Sequence, residues 1–465
     1  MIVRGSIISV MLAMLILIST VSAEIRFTEH TIVSDYGATM SVYAIDMDND
    51  NDMDVLGAAT DDDDVSWWEN DGNQNFTIHT ITNDFGGART AFASDVDRDN
   101  DIDVLGAAYY DNSVKWWEND GNQNFTEHTI ADDFTGAHTI FSEDIDSDGD
   151  MDILCSAYST AGIKWWENDG NQNFSEHSIA SGEDRYPYAK AVDVDGDMDI
   201  DIVGVNWGNS EVIWWENDGN QNFTEHVVTN NFPTPHWAHP EDLDNDGDMD
   251  IMAASFGSGR IAWWENDGEQ NFTYRVIGTS FTYVTSVYSV DIDDDNDMDV
   301  LAASEGLHII RWWENDGEEN FEQHDVSRLF SGASHVHAED MDNDGDMDVL
   351  GAARTGDKIC WWENQPATSI DDSDVNAPLS SFTINNYPNP FNSVTEIHID
   401  LPKASEIGFE IFDILGRNVE TLMNKRLEGG KHSIRWDAAR QPSGLYFYKI
   451  KCNENIHTGK MVLIK

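Results

Sequence analysis

The sequence predicts an all-β protein: a seven-bladed β-propeller closed by its own N-terminal strand, followed by a small C-terminal β-sandwich. Three observations carry this expectation. The pattern Asp-x-Asp-x-Asp-x-Asp-x-Asp begins at Asp46, Asp95, Asp144, Asp193, Asp242, Asp291 and Asp340, each start 49 residues after the one before. A Trp pair recurs with the same period, from Trp67/Trp68 to Trp361/Trp362. Each copy also holds four short strand-like runs, and four antiparallel strands in a period of this length are the measure of a propeller blade.

The first copy shows the elements in order. Phe27-Thr-Glu-His-Thr-Ile32 alternates in polarity as a strand does. After a variable loop, Ser41–Ile45 is a second strand running into the Asp pattern, and Val55–Ala59 is a third, rich in small residues. Val65-Ser-Trp-Trp-Glu69 is a fourth, and Asn70–Asn75, with Asp71-Gly72 as its turn signal, closes a hairpin. Neighbouring residues of a strand face opposite sides of the sheet, so each Trp pair places an indole on both faces. Adjacent blades supply the cover such a sheet needs, which makes the paired Trp core residues and a large hydrophobic term.

The ends indicate a closed ring. The Phe27 series continues through Phe76, Phe125, Phe174, Phe223, Phe272 and Phe321, and its next member would be Ile370, in a polar stretch. The last Trp pair thus lacks a following strand while the N-terminus has one to spare. Residues 24–32 are therefore expected to complete the last blade, removing the open edges of a linear array. An open solenoid is the alternative.

The formal charge is −63, and it is uneven: residues 380–465 carry 11 Lys and Arg against 9 Asp and Glu. The acidity therefore sits before them and excludes nucleic acid and anionic membranes as general partners. Arg4, the apolar run Ile7–Ile18 and Val21-Ser22-Ala23 read as a signal peptide over 1–23, with a mature start at Glu24. Cys155, Cys360 and Cys452 lack metal-type spacing, and the first two read as small buried residues.

The Asp runs read as structural calcium loops, about seven ions in all. Calcium takes many hard oxygen ligands in flexible geometry, whereas magnesium holds its water and demands strict octahedra. The ligand candidates of the first two loops are Asp46, Asp48, Asp50, Asp52, Asp54, Asp95, Asp97, Asp99, Asp101 and Asp103. The third and fourth offer Asp144, Asp146, Asp148, Asp150, Asp152, Asp193, Asp195, Asp197, Asp199 and Asp201. The fifth, sixth and seventh offer Asp242, Asp244, Asp246, Asp248, Asp250, Asp291, Asp293, Asp295, Asp297, Asp299, Asp340, Asp342, Asp344, Asp346 and Asp348. Loop position 6 must turn sharply and is Asn or Gly in six copies; the fourth departs, with Met198 there and Gly196 two residues early. Position 8, always Met or Ile, is expected to anchor the loop to the blade interior.

The Asp loop, an aromatic strand and Asn-Asp-Gly-x-x-x-Phe together resemble FG-GAP/VCBS-type repeats, the calcium-loop propellers related to integrin α-subunit heads. The resemblance covers residues 24–364 and implies extracellular recognition or adhesion, with some members carrying lyase or other catalytic sites. Residues 365–379 read as a linker. Beyond it, Tyr387–Asn392, Asp413-Ile-Leu-Gly-Arg417, Ser443-Gly-Leu-Tyr446 and Gly459–Lys465 resemble the type A sorting domain of the type IX secretion system, over residues 380–465. That resemblance implies the secretion machinery as a partner, and a secreted or cell-surface location in a Bacteroidota-type bacterium.

Loops opposite the Asp hairpins vary between copies and are the expected ligand face. The ligand-binding candidates there are Trp207, Trp237, His236, His239, Tyr186, Tyr188, Arg89 and His138, with Arg185, Lys190, His335 and His337 nearby. Trp207 and Trp237, outside the paired series, would form an aromatic platform for an unknown glycan or protein. The series His30, His79, His128, His177, His226 and His324 lies one per blade and cannot converge on a metal. No catalytic motif stands out, so no catalytic residue is assigned. The leading expectation is a calcium-binding binding or adhesion module; the alternative is a polysaccharide lyase using His236, His239, His335 or His337 with Arg89.

Overall fold

The computed structural model describes residues 25–365, apart from 160 and 183. It also describes 383–465 with interruptions at 388–390, 402–404, 414–416, 428–429, 439, 453–454 and 464. The expected signal segment and nearly all of the expected linker lie outside the described residues. Two compact units are present, Ile25–Pro366 being one and Ala367–Lys465 belonging to the other.

The first blade is built from β2 (Thr39–Ile45), β3 (Asp54–Ala59), β4 (Asp64–Asn70) and β5 (Phe76–Thr82), hydrogen-bonded antiparallel in sequence order. The same four-stranded sheet recurs through blades 2 to 6, and β1 (Arg26–Val33) completes blade 7 by pairing with Lys358–Gln365. His30 stands opposite Trp361 there just as His79 stands opposite Trp67 in the first blade. The ring is closed as the sequence predicts.

Burial explains why the Trp pair is the repeating unit of stability. Trp67 packs toward Trp117 of the next blade, while Trp68 packs toward Trp361 of the preceding one. Every interface thus joins the first Trp of one blade to the second of its neighbour. Space for the indoles comes from the small residues of the second strand: a Cβ on Gly57 would stand 2.8 Å from Ile359 Cδ1 and 3.0 Å from Trp68. Cys155, in the equivalent position, is fully buried, as expected of a small core residue.

A second aromatic series escapes a reading focused on strands. Tyr36, Phe85, Phe134, Phe232, Phe281 and Phe330, from the segments before the inner strands, meet the second Trp edge-on at centroid distances of 4.9–5.4 Å. The fourth blade breaks the period, and Tyr186 takes over the contact with Trp215 at 6.1 Å. Tyr186 is 5% exposed. This corrects its placement among the ligand candidates: it fills a core gap left by a missing Phe.

The C-terminal unit consists of a three-stranded and a four-stranded antiparallel sheet, the β-sandwich expected there. Its core contains Phe391, Ile397, Phe409, Ile411, Trp436, Tyr446 and Ile450.

Ring closure makes a terminal strand indispensable. Deleting residues 24–33 should lower the melting temperature sharply and broaden the transition, because blade 7 loses its outer strand. Deleting residues 380–465 should leave propeller melting unchanged. Calorimetry on the two truncations checks this, and a harmless N-terminal deletion would reject closure as a source of stability.

Candidate functional site

Each inner strand runs from one face of the ring into an Asp loop on the other. In the first loop Asp46 accepts the amides of Asp50 and Asn51 (3.0 and 2.9 Å), and Asp50 accepts that of Asp52 (2.9 Å). These bonds wind the loop so that Asp46, Asp48 and Asp50 offer oxygens within 4.8 Å of one another. The sets Asp95/Asp97/Asp99, Asp193/Asp195/Asp197 and Asp242/Asp244/Asp246 repeat this, and the third loop brings Asp144, Asp146 and Asp152 together.

Not all five Asp of a run play one role. Asp54 is fully buried, with its carboxylate accepting the amides of Met47 (3.0 Å) and Asn70 (2.7 Å). It ties the start of the loop to the end of β4, and its counterparts do the same in all seven blades. The carboxylate of Asp52 lies against Gly72, where a Cβ would stand 2.5 Å from Oδ2. The Asp-Gly turn therefore needs glycine for contact as well as for its φ of +72°.

Position 6 is left-handed as expected, and so is position 4: Asn49 and Asn51 have φ of 60° and 72°. In the fourth loop Gly196 (75°) and Met198 (76°) adopt the same two conformations. Met198 donates its amide to Asp193 at 3.0 Å, as Asn51 does to Asp46. The departure in sequence is thus absorbed without a change of loop shape, at a left-handed cost of about 1–2 kcal/mol for a residue with a side chain. The residues sunk into the core are those at position 2, among them Met47, Ile145 and Met341, all fully buried, whereas position 8 is half-buried in six copies and exposed at Met347.

The donor set suits a hard cation. Oδ1 of Asp48, Asp95, Asp144, Asp293 and Asp342 is buried without a hydrogen-bond partner, in company with other carboxylates. Burial and the neighbouring carboxylates raise the pKa of Asp48, and Asp244 is raised to about 6. Burial also raises Asp54, Asp103, Asp152 and Asp201 to about 7, and Asp250, Asp299 and Asp348 to about 8.

On the opposite face the ring axis opens into a funnel of about 770 Å³. Here the structure changes the placement of the ligand candidates. Arg89, His138, His236 and Trp237 lie near the starts of inner strands and line the funnel from the ring wall, not from surface loops. The rim above them is formed by the residue following each second strand: Thr60, Tyr109, Tyr158, Trp207, Phe256, Glu305 and Arg354. Four consecutive blades thus give an aromatic arc, with centroids 5.6 Å apart for Tyr158–Trp207 and 5.5 Å for Trp207–Phe256. On the other side of the rim Arg354 pairs with Glu305 at 3.2 Å.

Trp207 and Trp237 do not form the single platform expected. Trp237, 8% exposed, is set in the throat against Tyr188 (4.4 Å) and His335 (5.1 Å). Below this constriction lies a second chamber of about 220 Å³, lined by Tyr43, Phe92, Phe141, Lys190, His239 and His337 among others. His239 and His337 are therefore separated from Arg89, which shares the funnel with His138 and His236. Burial holds His236, His239 and His335 down to about 4 and His337 to about 3. The repeating histidines stack instead on the first Trp of each pair at 4.5–4.8 Å, held by a glutamate, as His79 is by Glu69 at 2.7 Å.

Seven blades, seven acidic loops on one face and a ligand-sized funnel on the other define a propeller of the acidic-loop class. The chain belongs to the FG-GAP-like repeat family: that model matches residues 46–106, 95–155, 193–253, 242–302 and 291–351. Residues 385–465 match a secretion system C-terminal sorting domain, which marks a secreted or cell-surface protein that engages a secretion machinery. No curated protein matches the chain. Among solved structures, a crystal structure of a protein from Lactobacillus plantarum is similar at 12% identity and a TM-score of 0.44, covering 60% of this chain and 83% of that one. No described helix is long and apolar enough to cross a membrane.

The titrations have opposite signs on the two faces. The raised Asp54-type carboxylates favour the ion-free fold when protonated, so their contribution is full below about pH 4 and is lost progressively as pH rises to about 7–8. The channel histidines are depressed, so their contribution is lost as pH falls from about 6.5 toward 4. In chelator, the melting temperature should therefore fall as pH rises from about 4 to 8, with the histidines opposing the fall below about 6.5 and the steepest loss between about 6.5 and 8. Saturating calcium should flatten that limb and leave the acid limb; calorimetry across pH reads both.

Proposed function

We propose that this protein is a secreted, calcium-stabilised β-propeller that acts at the cell surface as a binding or adhesion module. About seven structural calcium ions would occupy the Asp loops, and a glycan or protein ligand would enter the axial funnel. The observation that carries the reading is the division of the ring. One position of the repeat, the residue after each second strand, varies from Thr to Tyr, Trp, Phe, Glu and Arg around the rim while the scaffold beneath it repeats. The half-buried aromatic arc suits a sugar ring, and the buried unpartnered carboxylate oxygens on the other face support the ion assignment.

A second reading, a lyase-like enzyme, draws on one cluster. Arg89 Nε donates to His138 Nε2 at 3.1 Å, and His138 stacks on Tyr158 at 5.4 Å. An arginine beside a neutral imidazole and a phenol is a set that could hold a uronate and move its proton. Screening acidic polysaccharides for unsaturated products separates the two readings.

Calcium should be needed for stability. Ion at about ten times its dissociation constant adds roughly 1.4 kcal/mol per site. Seven such sites add about 10 kcal/mol, as large as the total of about 5–15 kcal/mol typical of a domain. Chelation should therefore unfold the propeller or lower its melting temperature by tens of degrees, with calcium restoring it better than magnesium. Indifference to both chelator and calcium would reject the ion assignment.

For the funnel, Trp207→Ala should abolish retention on a glycan array while leaving calcium-dependent melting nearly unchanged. Replacing Trp67 and Trp68 with Ala should instead cost several kcal/mol, about 3–5 for each large aromatic truncation. Equal stability losses in the two variants would remove the case for a binding rim.

A further inference from the structure

The base of the funnel holds a positive charge that the protein itself does not neutralise. Most basic side chains of residues 25–365 are tied to carboxylates at 2.5–3.2 Å. Arg89 is different. Its Nε donates to the neutral imidazole of His138, and among the described residues no carboxylate pairs with it and nothing accepts from its two terminal nitrogens. The chain has 88 Asp and Glu, so the missing partner does not reflect a shortage of acids. The carboxylate closest at hand on the rim, Glu305, is already bound to Arg354.

Such an arrangement costs free energy. Burial, with repulsion from Arg354, pulls the Arg89 pKa down to about 10. A cation held this way at the bottom of a pocket is stabilised by an oxyanion arriving from outside, and the guanidinium fork meets a planar or tetrahedral oxyanion with two parallel N–H bonds. The surroundings say what the oxyanion is attached to. Tyr158, Trp207 and Phe256 line the rim above: Tyr158 stacks on His138 (5.4 Å) beneath the Arg185 guanidinium (5.5 Å), Phe256 lies against Tyr283 (4.7 Å), and between them Trp207 contacts both Phe256 (5.5 Å) and His236 (5.9 Å). His236 donates Nδ1–H to the Thr285 carbonyl at 3.0 Å, which leaves Nε2 in the funnel lining as an acceptor for a hydroxyl.

The overall charge of −63 does not forbid an anion here. The Asp loops are on the far face, a strand length of roughly 20 Å away, and exposed charges are largely screened beyond about 8 Å at physiological salt. Of the acids lining the funnel, Asp357 accepts the backbone amide of Ala38, Glu305 pairs with Arg354, and Asp61 stands exposed to solvent at the rim.

We propose that the funnel binds an anionic sugar, with the pyranose on the Tyr158–Trp207–Phe256 arc and its carboxylate or sulfate ester on the terminal nitrogens of Arg89. This rests on the funnel being the ligand site and specifies its chemistry. Neutral glycans then bind weakly, through stacking alone.

The test is calorimetric titration of the full secreted chain in calcium with three probes of similar length: an oligogalacturonate, an oligosaccharide of a sulfated galactan, and a neutral maltooligosaccharide. The expected result is that one anionic probe binds at least about tenfold more tightly than the neutral one, and that Arg89→Met removes this preference, the scale of a lost charge-assisted hydrogen bond. Which anionic probe binds distinguishes a uronate from a sulfate ester. Arg89→Lys, which keeps the charge without the fork, should fall between. If Arg89→Met does not melt cooperatively, the wild-type chain is titrated with the carboxyl-reduced or desulfated form of the bound probe, and unchanged affinity overturns the proposal. So does the absence of binding by both anionic probes at millimolar concentration. Neutral binding that Trp207→Ala abolishes and Arg89→Met leaves intact would keep the funnel as the binding site and overturn only the anionic assignment.

Discussion

Around the propeller, one contact recurs at every seam: the first Trp of a blade packing toward the second Trp of the next. A four-stranded sheet with an indole on each face cannot stand alone in water, because either face left open exposes one of the largest apolar side chains. Stacking blades covers one face at a time, and only closure covers all of them. The last seam, where Trp361 meets Trp68, depends on β1 returning from the far end of the chain. Stability is therefore a property of the ring and not of its repeats, and the small second-strand residues and edge-on aromatics are adjustments to that contact.

The acidic loops are joined to this core by their most buried member. Asp54 and its counterparts accept one amide from the loop and one from the third strand, so the geometry of the carboxylates above is set by the sheet below. The loops are also linked sideways. In blades 3 to 7 the Asn that follows Trp-Trp-Glu reaches the acidic loop of the preceding blade, as Asn168 does to the Val96 carbonyl at 3.3 Å, and Asn343 reaches Asn51 across the closing seam at 3.2 Å. Repulsion in one loop is thus passed to its own blade and to the next. This is the physical reason a bound cation would stabilise the whole ring.

The two faces are free to differ because the strands hold them apart. Loop residues on the acidic face are constrained by winding bonds and by Gly72-type contacts, and they hardly vary. Residues at the funnel rim face open space, so Thr60, Trp207 and Arg354 can occupy the same position of the repeat without disturbing a seam. The throat is the boundary: Trp237, against Tyr188, and His335 line both the funnel and the lower chamber, which holds His239, His337 and Lys190.

The 49-residue period was enough to establish the blade number, the Trp core, the closing strand and the acidic loops. Each of these depends on neighbours within a copy, or on counting copies, and spacing along the chain records both. The C-terminal sandwich was legible from its own strand-like runs. What the sequence left open was direction. Arg89 and His138 are one period apart in separate copies, and nothing local shows that both point at the axis and touch; only the curvature of the ring turns the inner strands to a common centre. The exchange of Tyr186 for the missing Phe was hidden for a related reason, since a core gap is a volume in space and has no fixed offset in sequence. Left-handed turns at both position 4 and position 6 were likewise set by the carboxylates that wind the loop, which is how Met198 comes to hold a conformation its residue type disfavours.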